Sequence, residues 1–233
     1  KAASASAPAV LLTTNATSGS INVGNVAPKY NSTGTGLSNL GAYANGNVTV
    51  INETAADTSY AGAKPVYGTG EAFIKTNGAT EVSVTGGGWT EITDIQTTPA
   101  TGGAGAGQAI GQSTLATVAL NHVGGGTITS DVLSALSILN DNGSSTYTVY
   151  ETPLHKLSLT LGNDASAGNI TQVIDDSASS LVVNQGTSAA TEGTVQIDAK
   201  LATSLDITTG SDLNLDLTAD AKLTAISVNN TSA

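Results

Sequence analysis

The chain contains no cysteine, no methionine and no arginine. Without cysteine there is no disulfide framework, no thiolate metal centre and no thiol nucleophile. Without arginine, and with only seven lysines in 233 residues, no basic cluster can form of the kind that phosphate recognition needs, which argues against nucleic acid as a partner. Aromatic residues make up 3% of the chain and charged residues 11%. A helical bundle draws on Leu, Glu, Lys and Arg in bulk, so this composition serves it poorly. No apolar run approaches the roughly 18 residues of a membrane span, and no membrane insertion is expected. A chain that opens on Lys1 reads as processed or excerpted.

What is present is small. There are 27 glycines, and serine, threonine, alanine and asparagine fill much of the rest. A core assembled from Val, Ile, Leu and Ala suits strands. The net charge of −11 is uneven: residues 1–116 carry six acids and four lysines, residues 117–233 twelve acids and three lysines. Divalent cations are the natural counter-charge for the second half.

From Leu115 onward a hexad recurs, apolar at its first, fourth and sixth places. Its copies are Leu115–Val118–Leu120, Leu133–Leu136–Ile138, Leu154–Leu157–Leu159, Ala178–Leu181–Val183, Ala202–Leu205–Ile207 and Leu223–Ile226–Val228. The first places are 18, 21, 24, 24 and 21 residues apart. The fourth and sixth places lie two apart and so share one face of a strand. The leading residue turns into the same core around a bend. One copy cannot bury its apolar face alone, whereas stacked copies make a continuous core. Ser130 and the spacing of Val132, Leu133, Leu136 and Leu139 also allow a short helix over 131–139, but a repeated pattern predicts a repeated strand.

The expected fold is all-β: a β-solenoid or β-roll-like repeat region with a smaller β-rich N-terminal part. Antiparallel Ig-like β-sandwiches are the alternative. The expected divisions are a flexible arm or donor strand at 1–19, a β-rich region at 20–98, a Gly/Ala-rich linker or loop at 99–112 and the β-strand repeat domain at 113–233. In the β-rich region Ile21 and Val23, Val48 to Ile51, Phe73–Ile74 and Val82–Val84 read as strands. Gly86–Gly88 and Gly102–Gly107 read as flexible loops, since no Lys-Ser/Thr follows them to make a phosphate cradle.

The run from Ser113 to Asn184, with its Leu-x-x-apolar-x-apolar phrases, and the closing Asp220-Ala-Lys-Leu223-Thr-Ala-Ile226-Ser-Val228 resemble the β-strand repeats of large bacterial surface proteins, S-layer proteins and secreted adhesins. The resemblance implies an extracellular structural role in a paracrystalline or filamentous coat, frequently with calcium. The glycine- and aspartate-rich nonapeptide of calcium-binding repeats has no copy in this chain.

Candidate sites are turn residues. Asp141, Asp164, Asp175 and Asp176, several beside asparagine, offer the hard oxygen donors that calcium takes; the same residue types favour turns through side-chain to backbone hydrogen bonds. Asn15, Asn31, Asn47, Asn52, Asn142, Asn169, Asn229 and Asn230 head Asn-x-Ser/Thr triplets and are glycosylation candidates. His122 and His155 are the two histidines, and neither belongs to a recognisable catalytic pattern. With no Gly-x-Ser-x-Gly elbow and no arginine to stabilise developing charge, no catalytic residue is expected. The expected function is an extracellular, cell-surface structural protein that assembles with copies of itself into a layer or fibre, with cell-surface polysaccharide as a further partner. The alternatives are a pilin-like filament subunit joined by donor-strand exchange and a glycan-binding adhesin module.

Overall fold

Along β9 (Thr117–Val123), Val118 and Leu120 are buried while Ala119 and Asn121 are not. The same alternation of small apolar residues facing in and short polar residues facing out marks one strand after another. It is the two-residue period of a half-buried strand. The computed structural model describes residues 10–14, 20–23, 44–45, 47–54, 66–67, 70–77, 79–94, 113–139, 144–150, 153–162, 169–185, 194–210, 213–218, 220 and 222–231. Among these there is no helix.

The strands form two sheets, and the chain alternates between them. The first, ten-stranded, runs β1 (Val10–Thr14), β4 (Val48–Thr54), β7 (Glu81–Gly87), β9, β11 (Ala135–Leu139), β13 (His155–Leu161), β15 (Ala178–Gln185), β17 (Ser204–Thr209) and β19 (Ala225–Asn230), with β5 (Val66–Tyr67) beside β4. The second, nine-stranded, runs β2 (Ser20–Val23), β6 (Glu71–Asn77), β8 (Thr90–Thr93), β10 (Gly126–Thr129), β12 (Ser145–Tyr150), β14 (Ile170–Asp175), β16 (Thr194–Asp198) and β18 (Asn214–Asp216), with β3 (Ala44–Asn45) beside β6. Each turn of the chain therefore lays one strand on each sheet.

This arrangement corrects the expected fold class. Every described ladder is parallel except the short β4–β5 pair, so antiparallel Ig-like β-sandwiches are overturned; parallel neighbours require a crossover, which here is the strand in the opposite sheet. The expected contrast between a repeat region and a smaller β-rich N-terminal part also gives way. β1, β4 and β7 stack in the same sheet as β9, with Val48 opposite Val82 and Val82 opposite Val118. A β-solenoid is compatible with the two parallel sheets observed.

One column crosses the whole first sheet: Val10, Val48, Val82, Val118, Leu136, Leu159, Val183, Ile207 and Val228 are successive register partners. Its first three steps are 38, 34 and 36 residues; the later ones are 18, 23, 24, 24 and 21. The step of 23 departs from the hexad spacing of 21 for a physical reason. Leu136 and Ile138 stand opposite Leu159 and Leu161, not opposite Leu157 and Leu159. The apolar pair thus slides by two residues, which keeps the same face inward, and Leu157, Leu159 and Leu161 are all buried at the changeover. The second sheet continues beside it, with Tyr147 opposite Val173 and Val149 opposite Asp175.

Leu154, expected as a core residue, is 67% exposed. Its place is taken by His155, which pairs with Ala178 at an irregularity in the β13–β15 register. Residues 135–139 are strand, and Gly86–Gly87 belong to β7, so the expected flexible loop at 86–88 is corrected. Gly86 and His122 occupy equivalent places in the stacked strands β7 and β9 and both adopt positive φ, 77° and 54°. Gly125, with φ 134°, continues this corner, and a Cβ on Gly126 would run into the Thr90 carbonyl of the rung beside it. The register partner of Gly126 is Tyr147, a buried ring whose hydroxyl donates to the Val123 carbonyl at 2.7 Å.

Candidate functional site

The chain passes from the second sheet back to the first through a tight corner that carries a recurring polar residue. Ser130, Asp175 and Asp220 each stand three residues before a core or core-packed residue, Leu133, Ala178 and Leu223. All three polar residues are buried, as is Asp94, which does the same work before Leu115 across a longer connection. The reason is local. A corner leaves backbone N–H groups pointing inward with no ladder partner, and a short acceptor side chain satisfies them. Asp94 Oδ2 accepts from the N–H groups of Thr114 and Leu115 at 2.7 and 2.9 Å, while Oδ1 accepts from Thr76 Oγ1 at 3.2 Å. Ser130 Oγ donates to the Leu115 carbonyl at 2.8 Å and accepts from Val132 N–H at 3.3 Å.

Asp175 is the most heavily used. Its Oδ1 accepts from Ser177 N, Ser177 Oγ and Ala178 N at 3.1, 3.1 and 3.0 Å, and its Oδ2 lies 2.9 Å from His155 Nε2. The other ring nitrogen of His155 lies 3.3 Å from the Pro153 carbonyl. Carboxylate and carbonyl are both acceptors, so each contact becomes a hydrogen bond when the ring nitrogen facing it carries the proton. Hydroxyls reinforce the corner from rung to rung: Ser134, Ser179, Thr203 and Thr224 each donate to a carbonyl of the preceding turn, those of Ala116, His155, Ser179 and Thr203.

Asp176, next to Asp175, faces solvent and pairs with Lys200 at 2.9 Å; that hydrogen bond and charge raise the Lys200 pKa. The two members of the expected Asp175–Asp176 cation cluster therefore point to different partners, one interior and one exterior. Among the described residues no three His, Asp or Glu side chains come close enough together to hold a metal ion. Asp141 and Asp164 lie outside the described residues, as do Asn15, Asn31 and Asn142. Of the other triplet asparagines, Asn52 is buried, and Asn47 Oδ1 accepts from Thr80 N, Thr80 Oγ1 and Glu81 N at 2.8, 3.2 and 3.1 Å, pinning the start of β7. Asn169 is half-buried, while Asn229 and Asn230 are exposed on β19. His122 is half-buried beside Asn121, its Nδ1 lying 2.8 Å from Asn121 Oδ1, and burial lowers its pKa.

Two surface features were not legible as sites. The outer face of the last rungs of the second sheet holds a shallow cavity of about 90 Å³ lined by Gln172, Gln196, Ile197, Asp198, Asp216 and Thr218. Gln172, Gln196 and Asp216 stack in register, and Gln196 Nε2 donates to Asp216 Oδ2 at 3.2 Å. The Thr218 N–H holds the Asp216 carboxyl below its usual pKa. The second feature is the end of the stack. β19 pairs with β17 on one side only among the described residues, and its Ile226 and Val228 stand opposite the buried Leu205 and Ile207. Yet they are 57% and 62% exposed, because among the described residues the second sheet ends at β18 and lays no strand across them. Neither Ile226 nor Val228 differs in kind from its core partners, so nothing in the pattern marks them as surface residues.

Comparison with family models, with curated proteins and with solved structures gave no match.

Proposed function

We propose that this chain is a structural protein of the cell surface that assembles with copies of itself. The observation that carries this reading is the last described rung: a strand whose Ile226 and Val228 stand in core register yet are more than half exposed, with an edge that no described strand pairs. Soluble proteins usually blunt such an edge with lysine, proline or a bulge. β19, Ala-Ile-Ser-Val-Asn-Asn, has none of these. The polar corners support the same reading, since buried side chains that could carry chemistry are spent on backbone groups. Sedimentation velocity across a concentration series tests the proposal. Growing species that negative-stain images show as fibres or layers are expected, and a monomer at every concentration overturns it.

A second reading rests on the outer cavity. Stacked amides beside carboxylates are suited to the hydroxyls of a polysaccharide, and a glycan-binding module would use Gln172, Gln196 and Asp216 for that purpose. Binding of surface glycans by the monomer, lost in the double variant Gln196→Ala/Asp216→Ala, tests it; equal binding by that variant rejects the cavity. Calcium, where it acts, would engage carboxylates other than Asp175, whose oxygens already accept from protein donors. Thermal melting with and without chelator measures its contribution.

A further inference from the structure

Three corners use a buried aspartate in the same way, and one of them is left incomplete. Asp94 and Asp175 spend both carboxylate oxygens on groups of the chain: Asp94 on Thr114 N, Leu115 N and Thr76 Oγ1, Asp175 on Ser177, Ala178 and the His155 ring. Asp220 is nearly as enclosed, at 6% exposure, yet only its Oδ1 is used, by the Ala199 N–H at 2.6 Å. Its Oδ2 is buried with no donor among the described residues. The cause lies in the turn before. At Asp175 the set is completed from the preceding turn by His155, the register partner of Ala178. The turn before Asp220 carries Ala202 at the corresponding place of the hexad, and a methyl group donates nothing.

A second orphan lies beside the first. The Ala199 N–H that Asp220 accepts belongs to the peptide that follows Asp198, so the two carboxyls flank one peptide unit. Asp198 Oδ1 is also buried without a hydrogen-bond donor among the described residues. Lys200 Nζ stands 3.8 Å from it and is already bonded to Asp176 at 2.9 Å. Burial, and after it the Asp198 charge, raise the Asp220 pKa. Two acceptors of like charge do not satisfy one another, whereas a positive ion satisfies both. Asp198 also lines the outer cavity of about 90 Å³, together with the oxygen-bearing side chains of Asp216, Gln172, Gln196 and Thr218. That space accommodates water, and a hard divalent ion held by one or two carboxylates keeps several waters.

We infer that Asp198 and Asp220 bind one hard divalent cation of the calcium and magnesium class, with Asp198 Oδ1 and Asp220 Oδ2 as its carboxylate ligands and water from the outer cavity completing its shell. The ion neutralises the pair and clamps the turn of β16 to the turn that follows. This deepens the calcium reading by naming its carboxylates, and it stands apart from self-assembly, which its failure leaves untouched.

Thermal melting of the monomer in EDTA, in MgCl2 or CaCl2, and in NaCl of matched ionic strength tests it. The wild-type Tm is expected to rise by about 3–6 °C in one of the divalent salts at about ten times the apparent Kd, with no such rise in NaCl. Asp198→Asn and Asp220→Asn each remove one of the two like charges. In EDTA each is therefore expected to melt no lower than the wild type, which shows that it is folded, while its apparent affinity for the divalent ion falls at least about tenfold. Asp206→Asn, an exposed change on β17, is expected to keep the full response. No rise in either divalent salt overturns the inference, as does an equal rise in NaCl. A full response kept by Asp198→Asn or by Asp220→Asn also overturns it, and marks the effect as general screening of a chain of net charge −11.

Discussion

The interior rung at β13–β15 and the final rung at β18–β19 are built from the same phrase and live in different surroundings. Leu157 and Leu159 are fully buried, and Ile226 and Val228, two places of the same hexad, are more than half exposed. The corner residues differ in parallel. Asp175 accepts four hydrogen bonds. Asp220 accepts one, from Ala199 N–H through Oδ1, while its buried Oδ2 has no donor among the described residues. Burial raises the Asp220 pKa accordingly. The residue pattern sets which way a side chain points; a covering layer decides whether pointing inward amounts to burial. An interior rung has neighbours on both sides, and the last described one is paired on one side only among the described residues.

That contrast can be broken first where it is widest, in the packed core. Leu159→Ala is expected to cost about 2–5 kcal/mol, the range for a large-to-small change in a packed core. Val228→Ala is expected to stay within about 0.5 kcal/mol, as at a surface position. Both are read by denaturant unfolding of the monomer, and equal losses would erase the distinction between the rungs.

At the corners, Asp175→Ala strands Ala178 N–H, Ser177 N–H and the His155 ring. Each orphaned buried donor costs about 1–3 kcal/mol, so a loss of about 2–4 kcal/mol is expected from the same unfolding measurement. A change below about 0.5 kcal/mol would show that solvent reaches this corner. Asp220→Asn should act in the opposite direction. Its folded pKa lies above the usual 3.8, so the fold gains stability from this group as pH falls through the folded value toward 3.8, and forgoes that gain at neutral pH. An amide keeps the oxygen acceptor for Ala199 without a charge. Tm at pH 7 should therefore rise, with the advantage shrinking as the pH approaches about 4; a pH-independent difference would remove burial of the charge as the cause. Lys200→Ala removes an exposed pair with Asp176 and should leave Tm unchanged at moderate salt.

Much of the strand pattern was legible because hydrophobic period survives any change of partner. Val48, Val50, Val82, Val84 and the hexad residues announce strands from alternation alone. The common stack of β1, β4 and β7 with the later strands was not. The segments at 24–43, 55–65 and 95–112 lengthen those turns to 34–38 residues, and a period near 20 does not detect them. Parallel pairing was equally hidden, since alternation is the same in either direction and only partner identity separates them. Leu154 shows a finer failure. A hexad tolerates a shift of two residues without changing face, so counting along the chain picks the leucine while the fold packs His155 beside Asp175. The corner signal was available in part: Asp175-x-x-Ala178 and Asp220-x-x-Leu223 repeat a spacing that a search for acceptors ahead of each core residue would find. Such a search looks for backbone needs and not for metal ligands.

The two consecutive steps of 24 residues, Leu159 to Val183 and Val183 to Ile207, pair directly with no slide. Sections of the chain there are interchangeable in the way that equal links of a chain are. Removing residues 182–205 would join Leu181 to Asp206 in phase and shorten the stack by one strand spacing of about 4.8 Å. Duplicating the same section would lengthen it by as much. The length of this part of the stack is thus graduated like a measuring rod, set by how many such sections it holds.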